Sequence, residues 1–166
     1  MKRSLPPIAV ILLSASWTLA SPGIDTDADG WLDTFPLTND KIVPSGNSPY
    51  FPLEPGSFVV LGELRPAGSE FVLITVLHET ETVDGIRTRV VEEREYRDGY
   101  LLEVSRNFFG TAEKTGDILY FGEDVDDYKD RRVAGHSGVW RAGRDGARAG
   151  LFLPGAPAAG MKYYLE

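Results

Sequence analysis

The chain contains no cysteine. That excludes disulfide bonds, thiol catalysis, cysteine-ligated zinc and a lipid-anchored cysteine at a processed terminus. Histidine is nearly as scarce: the two residues, His78 and His136, show neither H-x-H nor H-x-x-x-H spacing, and they read as a strand-end and a loop histidine. Basic residues number 17 against 25 acidic ones, a net charge of −8 that disfavours nucleic acid and anionic lipid as partners. After residue 20 no stretch carries a sustained 3.6-residue apolar stripe, no internal repeat is evident, and low complexity is confined to the Gly/Ala-rich "RAGRDGARAG".

What is present begins with a targeting segment. Lys2 and Arg3 precede the apolar run "IAVILLSASWTLA", which ends in small residues, the layout of a secretory signal peptide. Its apolar core, from Ile8 to about Trp17, is shorter than the ~20 residues a spanning helix needs, so no membrane span is expected. Cleavage after Ala20 would remove two basic and no acidic residues and leave 146 residues with 25 acidic and 15 basic, a net charge of −10. The mature chain is expected in the periplasm or outside the cell. An exported protein without disulfides must draw its stability from its core or from bound metal.

Residues 21–55 are rich in Pro, Gly, Asp, Asn and Ser, and "VPSGNSPYFPLEPG" alone carries four prolines, so this part reads as an acidic loop followed by an extended linker. From about residue 56 to the end the pattern changes. "SFVVLGEL", "EFVLITVLHE", "IRTRVVEEREYR", "YLLEVSRNFF" and "DILYFGED" are rich in β-branched and aromatic residues and are separated by turn signals. Asp84-Gly85 and Asp98-Gly99 suit the positive φ angles of type I′ turns and predict antiparallel hairpins. The expected fold is all-β: an antiparallel meander, as an open sheet or a partial barrel, with an N-terminal acidic metal-binding loop.

Within it, "EFVLITVLHE" has two apolar faces and predicts a central strand covered on both sides. "YLLEVSRNFF" predicts a half-solvated strand with Tyr100, Leu102, Val104 and Phe108 towards the core and Glu103, Ser105 and Asn107 towards water. A two-residue loop at Asp98-Gly99 would set Glu93 opposite Val104 and Glu95 opposite Leu102, which buries neither face cleanly. Either a bulge shifts this register or the hairpin projects beyond the sheet.

The sharpest chemical signal is "DTDADGWLDTFP", Asp25 to Pro36. Four carboxylates within nine residues repel one another unless a cation joins them or the stretch stays unfolded. A calcium loop supplies oxygen ligands from positions 1, 3 and 5, a glycine at 6 for the sharp turn, and a backbone carbonyl at 7. Asp25, Asp27, Asp29, Gly30 and the carbonyl of Trp31 fall on those positions, and Asp33 falls on position 9. The bidentate Glu of position 12 is missing, since Pro36 stands there, and no helix precedes the loop, so an EF-hand pair is not supported. Asn39 and Asp40 are candidates to complete the shell.

The D-x-D-x-D-G-x-x-D core of Asp25, Asp27, Asp29, Gly30 and Asp33 resembles the thrombospondin type 3 repeat. That resemblance implies calcium binding by these aspartates, with only one unit where the family strings several together. Affinity in the ~10⁻⁴–10⁻³ M range of extracellular modules is expected. The remainder, on "SPYFPLEPG", "VDGIRTRVVEEREYRDG", "LYFGEDVDDY", "GVWRAGRDGA" and "PGAPAAGMKYY", resembles an uncharacterised family of bacterial exported proteins. This implies export and a β-rich fold but no activity. Members of that family extend further, and "MKYYLE" reads as the beginning of a strand, as in a domain cut short at its C-terminus.

Catalytic constellations are weak. "AGHSGVW" echoes a nucleophile elbow at Ser137, but Val139 stands where the motif needs glycine, and no histidine follows to complete the hydrolase order. The acidic set Glu123, Asp124, Asp126, Asp127 and Asp130 reads as a solvated loop or edge balanced by Lys129, Arg131 and Arg132, with a second weak calcium site as the lesser alternative. Asp126 and Asp127 would point to opposite faces of a strand and could not act together on one glycoside. Two functions remain open. One is a non-catalytic calcium-binding exported protein with a β-rich interaction or envelope-associated domain. The other is a carrier or enzyme taking a small apolar ligand into the concave face, lined by Phe58, Tyr100, Phe108 and Trp140.

Overall fold

A computed structural model describes residues 30–32, 40–65, 68–163 and 165. Its long hairpins follow from the turn residues. β4 (Gly68–Val83) and β5 (Ile86–Arg97) are joined by Asp84-Gly85, with φ of +49° and +75°, and β5 and β6 (Tyr100–Ala112) by Asp98-Gly99, with φ of +51° and +78°. These are the left-handed angles of a type I′ turn, which Asp and Gly adopt at least cost. A third such turn, Asp130-Arg131 (φ +51° and +63°), joins β7 (Ile118–Lys129) to β8 (Arg132–Gly135).

β3 (Phe58–Arg65) and β10 (Gly150–Leu153) complete the main path, and β9 (Trp140–Arg141) lies off it. The spatial order is β10-β7-β6-β5-β4-β3, every pair antiparallel, with β8 and β9 also on β7 and the short β2 (Ile42–Val43) on β6. The open sheet curls into a half-barrel. A separate parallel pair joins β1 (Trp31–Leu32) to β11 (Lys162–Tyr163). Among the described residues there is no helix, and hence none long and apolar enough to cross a membrane. The all-β antiparallel expectation therefore holds.

The core lies on both faces of one end of the sheet. One cluster joins Val83, Val90, Phe108, Leu119, Phe121, Ala142 and Leu151. The opposite face gathers Leu53, Val76, Val91, Phe109, Ile118 and Tyr120 beneath Phe51, Phe152 and Trp140. Its aromatic rings interlock, with Phe109 stacked on Tyr120 at 4.9 Å and Phe51 edge-on to Phe109 at 5.1 Å. Part of the stretch read as a linker thus belongs to the sheet and core: Ile42 and Val43 pair with β6, and Leu53 has no exposed surface. Complete burial of one leucine stabilises by about 2–3 kcal/mol, enough to fix this segment on the sheet.

Three expectations need correction, and one open alternative is decided. β4 lies inside the sheet but is not covered on both sides, because β3 is a bare edge and only Val76 of the "EFVLITVLHE" run is buried. On β6 both sides are buried at the Phe108 end: Phe108 is 3% exposed as expected, but Ser105 and Asn107, expected in water, are 5% exposed, whereas Tyr100 is 62% exposed. A chain of hydrogen bonds satisfies them, from the Tyr120 hydroxyl to Asn107 Oδ1 (2.7 Å) and from Asn107 Nδ2 to Ser105 Oγ (3.0 Å). The Glu123–Lys129 stretch is strand rather than loop, since β6 supplies its ladder. The β5–β6 register takes both alternatives at once. A bulge at Leu102 leaves Tyr96 opposite Leu101 but sets Glu95 opposite Glu103 and Glu93 opposite Ser105, and this end of the hairpin extends past the core.

Candidate functional site

Of the proposed calcium ligands, Asp25, Asp27, Asp29 and Asp33 lie outside the described residues. Gly30 and Trp31 are described. Gly30 has φ of +80°, the left-handed conformation that the glycine at position 6 of such a loop must adopt, and a Cβ there would meet nothing. Trp31 and Leu32 then run parallel to Lys162 and Tyr163, so the end of the acidic loop is tied to the last strand of the chain. Tyr163 in turn packs against the Phe108-face cluster, and its hydroxyl donates to Phe152 O at 3.3 Å. The strand expected at "MKYYLE" is present, and its neighbour is β1.

Asp40, a candidate to complete the calcium shell, has one of its two carboxylate oxygens engaged elsewhere. Its Oδ2 accepts from the backbone N–H of Lys114 (2.9 Å) and of Thr115 (3.2 Å), capping the β6–β7 turn.

The β5–β6 bulge creates the most unusual electrostatic feature of the sheet. Glu93 and Glu95 on β5, Glu103 on β6, and Glu123 and Asp127 on β7 share one face, the continuation of the buried Tyr120–Asn107–Ser105 chain. Burial, followed by repulsion from Glu95 and Glu123, raises the Glu93 carboxyl above its ordinary range. Glu103 is raised by burial and then by Glu95, Asp127, Glu123 and Glu93. Arg94 and Arg106 lie on the opposite face, where Arg94 pairs with Glu92 of its own strand and Arg106 with Glu79 of β4. Asp127 is held low instead, by the N–H and hydroxyl of Ser137 at 2.8 and 2.7 Å. The carboxylates form a ladder along the strands, and among the described residues no group of three or more His, Asp or Glu converges as a metal site would.

The catalytic echoes that the sequence reading set aside are not brought together. His136 Nδ1 lies 3.0 Å from Asp126 Oδ1 and 2.8 Å from Val125 O, while Ser137 binds Asp127, so histidine and serine face different acids. Asp126 and Asp127 occupy opposite faces, as strand alternation requires. His78 is exposed on β4 where the register with β5 shifts between Val76 and Thr80. The aromatics expected to line a ligand site are also apart. Phe58 is 71% exposed on the edge strand, Tyr100 stands at a hairpin tip, Phe108 is buried under Arg141, and Trp140 packs on Tyr120. A cleft of about 820 Å³ between hairpin tips is lined by Tyr96, Tyr100, Leu102, Tyr128 and charged residues of the Asp130-Arg131 turn.

Two arginines that sequence reasoning passed over hold this architecture. Arg89 is 8% exposed, and its guanidinium donates to Pro44 O (2.9 Å), Leu77 O (3.3 Å), His78 O (3.0 Å) and Glu79 O (3.2 Å). It thereby satisfies the carbonyls that the β4 irregularity takes out of the ladder. Burial lowers its pKa, yet an arginine stays charged. Arg141 binds Asp124 through Nε (3.1 Å) and Nη2, binds Glu81 through Nη1 (3.0 Å), and lies 4.5 Å over the Phe108 ring. Nothing in "IRTRVV" marks Arg89 as buried; only the irregularity in the neighbouring strand does.

Comparison with protein-family models, curated proteins and solved structures found no match.

Proposed function

We propose that the chain is an exported, non-catalytic calcium-binding protein, in which the ion fixes the junction between the N-terminal segment and a β-rich domain for interaction or envelope association. The observation that carries this reading is the conformation of Gly30 together with the pairing of Trp31–Leu32 to Lys162–Tyr163. A left-handed glycine followed by a short strand fits positions 6 to 8 of a calcium loop. Ordering of Asp25, Asp27, Asp29 and Asp33 around one ion, with the carbonyl of Trp31, would then be transmitted to β11 and the core beneath it. The acidic balance and the absence of cysteine fit this role as well as export.

An apolar-ligand carrier has less support. The Val91 face is filled by aromatic rings at one end and lined by carboxylates at the other, and burying an apolar ligand beside ionised groups would cost their hydration.

Trp31 is a reporter for the test. Calcium is expected to change tryptophan emission with a midpoint at ~10⁻⁴–10⁻³ M, magnesium to have little effect because it demands a tight octahedron, and Asp27→Ala to abolish the response. An emission spectrum indifferent to calcium up to ~10 mM, well above that range, would remove the loop from consideration.

A further inference from the structure

The two borders of the sheet differ. On the β10 side the border is formed by short strands of four, two and four residues, with register shifts where β8 and β10 meet β7. Short strands and bulges are the usual protection of a sheet edge. On the other side stands β3, eight residues long, paired with β4 through eight consecutive residues without a shift. It carries no lysine or proline, and its first half is uncharged. Phe58, Val59, Val60 and Leu61 are 71, 44, 56 and 56% exposed, so both faces of this edge present apolar surface to water. Among the described residues no strand other than β4 pairs with it.

We propose that β3 is the docking edge for a second copy of this chain, joined antiparallel about a two-fold axis at Val60. The ladder sets the phase. Val76 N–H donates to Ser57 O at 2.9 Å, so the alternation of an antiparallel pair directs the N–H and C=O of Phe58, Val60 and Gly62 away from β4, to the open border. An axis at Val60 lets these groups bond to their equivalents: Val60 to Val60 of the other copy, and Phe58 to Gly62. The side chains then agree on both faces. Val59 meets Leu61, the two Val60 side chains meet each other, and each Phe58 comes opposite Gly62, beside the Phe71 that already crowds that glycine from β4. Glu63 comes opposite Ser57, so no like charges are opposed. Joining the edges makes one continuous sheet of twelve strands along the main path, and a two-fold contact uses up the edge, so growth stops at the dimer.

The contact is small. A strand of eight residues spans ~26 Å and the sheet is roughly 10 Å deep, about 260 Å² of facing strip per copy, below the ~1,200 Å² in total of a stable interface. The dimer is therefore weak and concentration-dependent. It is further opposed by the net charge of −8 on each chain, so added salt strengthens it by screening. A cationic partner on the same edge would show the opposite salt dependence. The pairing stands apart from calcium binding and holds whether or not the acidic loop takes an ion.

Sedimentation velocity of the full chain over ~10 μM to ~1 mM tests it. Mass should rise towards twice the monomer and no further, more steeply in high salt. Val60→Lys places two ammonium groups on the axis, and Val60→Pro removes an N–H that faces outward; both should hold the protein monomeric with an unchanged melting curve. The register is read separately by cross-linking, since the native chain has no cysteine. A mixture of Val59→Cys and Leu61→Cys chains should form the mixed disulfide at least several-fold faster than either variant forms its own. A monomer at every concentration, a dimer that survives Val60→Lys, equal rates in the three cross-linking reactions, or open-ended growth would each overturn the proposal.

Discussion

Replacing Glu103 by glutamine should make the protein more stable at neutral pH, an unusual outcome for a partly buried residue. Burial and then the charges of Glu95, Asp127, Glu123 and Glu93 raise its carboxyl above the ordinary 4.5. An acid whose folded pKa is raised binds protons more tightly when folded. Its favourable contribution is fully present below the unfolded value and is lost as pH rises through the folded one. At pH 7 the wild type therefore carries the cost of burying this charge and of its repulsion. Glu95 stands directly opposite Glu103, and like charges so placed destabilise by roughly 0.2–1 kcal/mol. A second carboxylate at ~6 Å adds about 0.7 kcal/mol in bulk-water dielectric before screening. Allowing for salt and partial exposure, Glu103→Gln should gain about 1 kcal/mol, or roughly 3–4 °C in Tm for a domain of this size. Urea unfolding at pH 7 and at pH 4 measures it. The gain should shrink in high salt, and shrink again as pH falls from 7 towards 4 and the wild-type carboxyl takes up its proton. A loss of stability at pH 7 would refute the reasoning.

Arg89→Met should destabilise by about 3 kcal/mol, because it leaves four carbonyls without their donor, and Arg89→Lys should recover only part of this, lacking the planar fork; a change under about 1 kcal/mol by urea unfolding would show that water replaces the guanidinium. The exported protein should begin at Ser21, and an intact mass that still includes Met1 to Ala20 would overturn the signal-peptide reading.

The hairpins were legible because their turns are local chemistry. Asp84-Gly85 and Asp98-Gly99 fix the turn type without reference to the rest of the chain, and β5 runs from Ile86 to Arg97 as "IRTRVVEEREYR" suggests. Burial was less legible, because it depends on which face another segment covers. Alternation alone sent Ser105 and Asn107 to water, but a tyrosine on the next strand reaches over to bond Asn107, which in turn bonds Ser105, and both lie inside. The bulge at Leu102 left its trace in the sequence as a register that buried neither face cleanly. Its consequence, a row of carboxylates on three strands, required the true pairing. Likewise the proline-rich stretch showed that no long element could persist there, but not that Leu53 would be fully buried. For the candidate calcium loop the spacing of the aspartates carries the reading, and the backbone of Gly30 is the part of it that geometry reaches.

Calorimetric titration of calcium into the wild type and into Asp27→Ala tests that reading most directly. The wild type should bind one ion per chain with a dissociation constant of ~10⁻⁴–10⁻³ M, and Asp27→Ala should release no binding heat in that range. Equal heats from the two proteins would contradict the account and place the ion elsewhere, at Glu123 to Asp130 before any other stretch.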